Sequence, residues 1–272
     1  AQAYLDASSW MWGDEVTASI DTPADGIDAI LSPAGSITGI VSGGDVLLGG
    51  APVSAGAYNG ATDQWDQHFY AETDDQGRYT ISGLRPGVAY LVQAGDYFGT
   101  YTWTMWTTDG TGTGDWHTGD DVFVLPPPEE PTVCDFDLST GGYITGHVEN
   151  ALGQPLEGVE VVLFAPTDVG WDDWWGSFHG VQGSTDENGD YRVGGLYPGD
   201  YRIAFAPPEA SPYAGEYYND QPALSLAATI TVTTLGEQVS VDTAVLSEAA
   251  AIEGHVYDDG DPGTPLEGIE VR

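Results

Sequence analysis

Ile144-Thr145-Gly146-His147-Val148 is one of three copies of Ile-x-Gly-x-Val in this 272-residue chain; the others are Ile37-Thr38-Gly39-Ile40-Val41 and Ile252-Glu253-Gly254-His255-Val256. The glycines at 39, 146 and 254 lie 107 and 108 residues apart, so the chain reads as a tandem array with the period of one small domain. In the second copy Ile144, Gly146 and Val148 alternate with Thr145 and His147, the period-two pattern of a strand with one buried face. Each copy is followed by a turn of proline and small residues: Pro52-Val53-Ser54-Ala55, Pro155-Leu156-Glu157-Gly158 and Pro265-Leu266-Glu267-Gly268. On this frame residues 36–140 and 141–250 are complete units. Residues 1–35 match the end of a preceding unit, with Tyr4 against Tyr218 and Asp6 against Asp220, and residues 251–272 match the start of a following one. The expectation is a window of a longer repeat protein, because half a sandwich leaves strand edges unpaired.

The second unit shows what each repeat builds. Tyr143 to Glu149 and Val159 to Phe164 read as strands, and further strands are expected at Tyr201 to Ala206, Ala228 to Thr233 and Gln238 to Leu246. Asn188-Gly189 carries the signature of a type I′ hairpin, and Pro198-Gly199 that of a type II turn. Asp74 and Asp186, which open the corresponding loops, are placed to cap their own turns by Asx hydrogen bonds. No segment has helical periodicity. Seven short strands within a period of about 107 residues predict an all-β fold of tandem seven-stranded Ig-like or transthyretin-like β-sandwiches.

Four motifs carry a resemblance: Gly-x-Val, Pro-Leu-x-Gly-Val-x-Val (Pro155 to Val161), Thr-Asp-x-x-Gly-x-Tyr (Thr185 to Tyr191) and Leu-x-Pro-Gly-x-Tyr (Leu196 to Tyr201). With them the unit resembles the carboxypeptidase regulatory-like family, whose transthyretin-like sandwich includes the B-type repeats of collagen adhesins. All four are turn or core chemistry, so the resemblance implies a fold and leaves function open. The first unit departs from it in Val53-Ser54-Ala55-Gly56, which weakens the second motif, and in Val88-Ala89-Tyr90, which places an extra residue before the tyrosine. Some members of that family lock each domain with an isopeptide bond from lysine. This chain has no lysine, which removes that crosslink.

Charge narrows the partners. Against 43 acidic residues stand five arginines, a net −38 that repels nucleic-acid backbones and anionic lipid, and no stretch is long enough to insert in a membrane. An 11% aromatic content with alternating Val and Ile speaks for packed cores rather than disorder. Cys134 is alone, so no disulfide forms within the chain, and a buried small hydrophobe is its expected role.

No catalytic signature is present: His147 and His255 share a repeat position that is Ile40 in the first unit, and there is no nucleophile elbow, zinc motif or phosphate loop. The expectation is a protein without enzymatic activity. Calcium is the one cofactor the composition invites, with Asp63 and Asp66, Asp120 and Asp121, and Asp172 and Asp173 as candidate ligands in Asp-rich loops. Aromatic loops give the strongest functional signal. Trp65 lies in the insert after the second strand of the first unit, and Trp171, Trp174 and Trp175 lie in that of the second. Trp103, Trp106 and Trp116 fall between the fifth and sixth strands of the first unit, where the second has Tyr213, Tyr217 and Tyr218. All nine tryptophans are expected in loops, where exposed indoles bind a sugar ring or another protein surface. Counting strands puts Trp103, Trp106 and Trp116 of one unit opposite Trp171, Trp174 and Trp175 of the next. Three readings follow: an extracellular or surface-anchored fibre, stalk or adhesin whose partners are further copies of the repeat; a polysaccharide-binding array; or an accessory region of a large secreted enzyme.

Overall fold

The computed structural model describes residues 33–59, 64–114, 118–126, 129, 131–167, 170–172, 182–209, 211–250, 255–258 and 261–265. Nearly all regular structure is β. The first unit holds β1 (Gly35–Gly43), β2 (Val46–Leu47), β3 (Pro52–Asn59), β4 (Gln64–Glu72), β5 (Arg78–Leu84), β6 (Ala89–Ala94), β7 (Thr104–Met105), β8 (Val122–Phe123), β9 (Thr132–Val133) and β10 (Phe136–Asp137). In one sheet β1 is flanked antiparallel by β2 and β5 and in parallel by β9 and β10. In the other, β3 lies between β4 and β6, and β6 continues to β7 and β8. Ile37, Val41, Tyr79 and Ile81 from the first sheet meet Val53, Ala55, Tyr90 and Val92 from the second in a closed core. On β1, β5 and β6 burial follows the two-residue period of the sequence, whereas the described part of β3 is buried on both faces.

The second unit repeats the plan. Its strands are β11 (Gly142–Asn150), β12 (Glu160–Thr167), β13 (Gly170–Asp172), β14 (Gln182–Ser184), β15 (Asp190–Leu196), β16 (Gly199–Ala206), β17 (Glu216–Tyr217), β18 (Ile230–Val232), β19 (Gln238–Ser240) and β20 (Ala244–Leu246). Here β11 pairs with β15 and, in parallel, with β19 and β20, while β12 pairs with β13, β14 and β16. A separate core of Ile144, Val148, Val161, Leu163, Tyr191, Val193, Ile203 and Phe205 fills the space between these sheets. A short pair, β21 (Tyr257–Asp258) with β22 (Asp261–Pro265), follows.

The glycine of Ile-x-Gly-x-Val is explained by a tyrosine from the neighbouring strand. Gly39 stands opposite Tyr79 and Gly146 opposite Tyr191, and each ring lies across its glycine. A Cβ on Gly39 would sit 2.0 Å from the Cys134 carbonyl oxygen, and one on Gly146 would sit 2.4 Å from the Tyr191 hydroxyl. Tyr79 donates its hydroxyl to the Cys134 carbonyl at 2.7 Å. Cys134 itself is buried in the core as expected, and burial, with the Asp135 charge beside it, pushes its thiol up to about 12.

Both copies of Thr-Asp-x-x-Gly-x-Tyr do the same work. The buried hydroxyl of Thr185 accepts from Val159 N–H and donates to the Leu156 carbonyl; Thr73 does so with Ala51 and Leu48. Asp186 Oδ1 accepts the amides of Asn188 and Asp190, and Asp74 Oδ1 those of Gln76 and Arg78, the expected Asx capping, which holds both carboxyls below their ordinary range.

Three local expectations are corrected. Only Gly189 of Asn188-Gly189 has positive φ, and its amide closes onto the Asp186 carbonyl. The turn is therefore not type I′, and it carries the chain from β14 in one sheet to β15 in the other rather than closing a hairpin. Pro86-Gly87 makes the left-handed turn expected of Pro-Gly, but Gly199 does not, since it already pairs with Val232 at the start of β16. That difference absorbs the extra residue of Val88-Ala89-Tyr90: Val53 faces Ala94 as Val161 faces Phe205, so register is kept. Finally, the hydrogen bonds of Thr73 and Thr185 align Leu47-Leu48-Gly49-Gly50-Ala51-Pro52-Val53 with Pro155 to Val161. Pro52 thus corresponds to Glu160, inside a strand, and not to the turn proline Pro155.

Candidate functional site

Strand direction places the loop after β6 at the far end of the first sandwich, where the second begins. Residues 139–141, which lead into β11, do not run free. Thr102 N–H donates to the Ser139 carbonyl at 2.9 Å, Gly141 N–H donates to the Thr100 carbonyl at 2.9 Å, and Tyr101 and Thr140 form an antiparallel bridge between these bonds. The connecting segment is thereby stitched to the first sandwich up to the residue before β11. Asp96 shapes the loop that receives it, its carboxylate accepting the amides of Phe98, Thr100 and Tyr101.

The same loop touches the second sandwich at the end of β15. Gly99 and Gly194 pack backbone to backbone, so that a Cβ on Gly194 would lie 2.2 Å from the Gly99 carbonyl oxygen. Arg192 stacks its guanidinium over Tyr143, 4.2 Å from the ring centroid, and reaches the Gly99 carbonyl with Nη1 at 3.4 Å. Beyond β15, the Tyr197 hydroxyl meets that of buried Thr104 at 3.0 Å, and its ring covers Gly114. Tyr197 is fixed from behind, its own carbonyl accepting the Tyr201 hydroxyl at 2.8 Å. The arrangement binds one sandwich to the next through backbone, hydroxyl, guanidinium and ring contacts.

Trp103 and Trp106 lie outside the strands, as expected, but Trp65 and Trp171 do not. Trp65 falls within β4 and Trp171 within β13, because each insert begins by extending a strand pair, so these two are not loop residues by backbone. Trp103 is half-buried, packed over Gly95 and edge-on to Tyr97. Trp106 is also half-buried and lies against the core of its own sandwich. Trp116, Trp174 and Trp175 and the side chains of Trp65 and Trp171 lie outside the described residues, and with them the expected meeting of the two indole sets. Tyr197, Thr104, Arg192 and Gly99, which build the junction, were not singled out in the sequence. A signal existed for one of them: Tyr197 fills the variable position of Gly-Leu-x-Pro-Gly, a turn held at the entry end of a sandwich.

Of the candidate calcium ligands, Asp120 is described in a polar setting. Its Oδ2 accepts both the amide and the hydroxyl of Thr108 at 2.7 Å, which hold its carboxyl below the usual range. Asp121 is exposed beside it, and Asp63, Asp173 and the side chains of Asp66 and Asp172 lie outside the described residues. Among the described residues no three His, Cys, Asp or Glu side chains converge on one point. His147 is half-exposed as expected, with Nδ1 2.8 Å from Asp190 Oδ1. No described helix is long and apolar enough to cross a membrane.

No family model matches the chain, and no curated protein matches it. Among solved structures it is similar to the Bacillus anthracis TIE protein, with 17% identity over 78% of this chain and 34% of that one and a TM-score of 0.28. It is similar also to a Streptococcal ancillary pilin (15% identity, 81% and 63% of the two chains, TM-score 0.33) and to the shaft pilin SpaA from Lactobacillus rhamnosus GG (10%, 81% and 100%, TM-score 0.29). The chain spans about a third of the first and under two thirds of the second.

Proposed function

We propose that the chain is a non-catalytic structural segment of an extracellular fibre, stalk or surface adhesin, in which acidic β-sandwiches 36–140 and 141–250 follow one another end to end. One observation supports it above the others: residues 139–141 are hydrogen-bonded to residues 100–102, so the two sandwiches share a stitched junction instead of a loose tether. A rigid sequence of closed sandwiches transmits load and spacing, which is what a fibre requires. Contact between like units supplies the partner, and net charge of −38 keeps such rods from collapsing on one another. Calcium held by the Asp-rich loops, Asp63, Asp66, Asp172 and Asp173 included, would add to this stiffness by relieving carboxylate repulsion. Polysaccharide binding is the rival, and the half-burial of Trp103 and Trp106 against their own sandwich weighs against stacking platforms there.

Solution scattering on the intact chain tests this directly. A rod whose cross-section is one sandwich and whose length does not change with polysaccharide supports the fibre; a flexible pair of beads, or a panel polysaccharide that binds and quenches tryptophan emission, favours the rival.

A further inference from the structure

The exit end of the second sandwich is built as the exit end of the first. Ala214 N–H donates to the Ser247 carbonyl as Thr102 does to Ser139, and Ala249 N–H donates to the Pro212 carbonyl as Gly141 does to Thr100. Tyr213 bridges Glu248 as Tyr101 bridges Thr140. The segment after β20 is therefore laid down along residues 212–214 in the path that, one sandwich earlier, delivers β11 onto its docking loop.

One residue differs in a telling way. Strand register makes Glu216 the counterpart of Thr104, since Phe205 faces Glu216 as Ala94 faces Thr104. At the first junction that position receives the Tyr197 hydroxyl. At the second, Glu216 is half-buried and hydrogen-bonded through its carboxyl to Asp220, but its Oε1 has no hydrogen-bond partner, which a donor arriving at the junction would supply.

We propose that the exit end of the second sandwich is a docking face for a further copy of this repeat, with Glu216 selecting a hydrogen-bond donor at the variable position of that copy's Gly-Leu-x-Pro-Gly segment. The two examples in this chain supply such donors: arginine in Gly83-Leu84-Arg85-Pro86-Gly87 and tyrosine in Gly195-Leu196-Tyr197-Pro198-Gly199. A carboxylate discriminates between them where a threonine does not, because arginine offers a charged fork and tyrosine a single O–H. Burial, with the Asp220 carboxyl beside it, pushes Glu216 up to about 7, and the charge of an incoming guanidinium opposes that shift. Position 104 or 216 thus acts as an address that orders unlike sandwiches along the fibre. This rests on the end-to-end reading above.

A lengthened chain tests it. Each sandwich encloses its own core, so residues 1–250 can be followed by a second copy of residues 143–250, which brings a copy of Tyr197 to Glu216. In that copy alone, Y197R and Y197F are compared by thermal melting and by scattering. The expected order of junction stability is arginine over tyrosine over phenylalanine, with E216A removing the advantage of arginine by at least tenfold in the docked-to-undocked ratio. Equal behaviour of Y197R and Y197F with Glu216 present overturns the assignment. If the lengthened chain is not longer than the original by one sandwich, it is the end-to-end reading that fails, and the two failures are told apart.

Discussion

Tyr197 of the second sandwich and Thr104 of the first meet hydroxyl to hydroxyl at 3.0 Å, with Thr104 buried and Tyr197 anchored by the Tyr201 hydroxyl. Removing the Tyr197 oxygen leaves the ring over Gly114 and the Thr104 hydroxyl bonded to that of Thr102 at 3.1 Å, so what is lost is the hydrogen bond across the boundary. Tyr197→Phe should weaken the coupling of the sandwiches by about 1 kcal/mol while leaving each core intact. Scattering should show a broader envelope, with far-UV dichroism unchanged.

Gly39 and Gly146 occupy the same repeat position, yet alanine should not cost the same at the two. On Gly146 the new methyl meets the ring end of Tyr191, a buried side chain that yields more readily than main chain, and a loss of about 2 kcal/mol is expected. On Gly39 it meets the Cys134 carbonyl, main chain that cannot yield without breaking the pairing of β1 with its parallel neighbours, and the loss should exceed about 3 kcal/mol. Urea titrations of Gly39→Ala and Gly146→Ala decide the order.

Glu216 should make stability fall as pH rises. Its folded value of about 7 lies above the ordinary 4.5, so between these limits the unfolded chain gives up a proton that the folded chain retains. The protonated carboxyl is thus accommodated fully below about 4.5, and the penalty for ionising it is complete above about 7. Glu216→Gln should match the parent near pH 4.5 and exceed it near pH 8, by about 1 kcal/mol once water's screening of a half-buried group is allowed for. Melting at the two pH values checks the sign.

Cys134 should be inert in the native protein. Its side chain is fully buried and its thiol stays protonated at neutral pH, so a disulfide-exchange reagent at pH 8 should label it only as fast as the first sandwich unfolds. Labelling of folded protein within seconds would contradict the core position given to it here.

The sequence by itself determined the period, the alternation that buries Ile37, Val41, Ile144 and Val148, and the role of Asp74 and Asp186 as caps. These depend on neighbours a few residues away or on the two-residue repeat of a strand, and both are written locally. It did not determine which glycine-bearing turn takes which shape: Asn188-Gly189 yields to the need to pass from one sheet to the other, and Gly199 yields to its pairing with Val232. Nor did it locate the first unit's counterpart of Pro155-Leu156-Glu157-Gly158, because Thr73 marks it through hydrogen bonds to Leu48 and Ala51 and not through a shared proline. Tertiary structure alone decided the junction. Thr104 and Tyr197 are 93 residues apart, and neither a hydroxyl pair nor a glycine contact such as Gly99 with Gly194 leaves a periodic trace, so only the direction of the strands brings them to the same boundary.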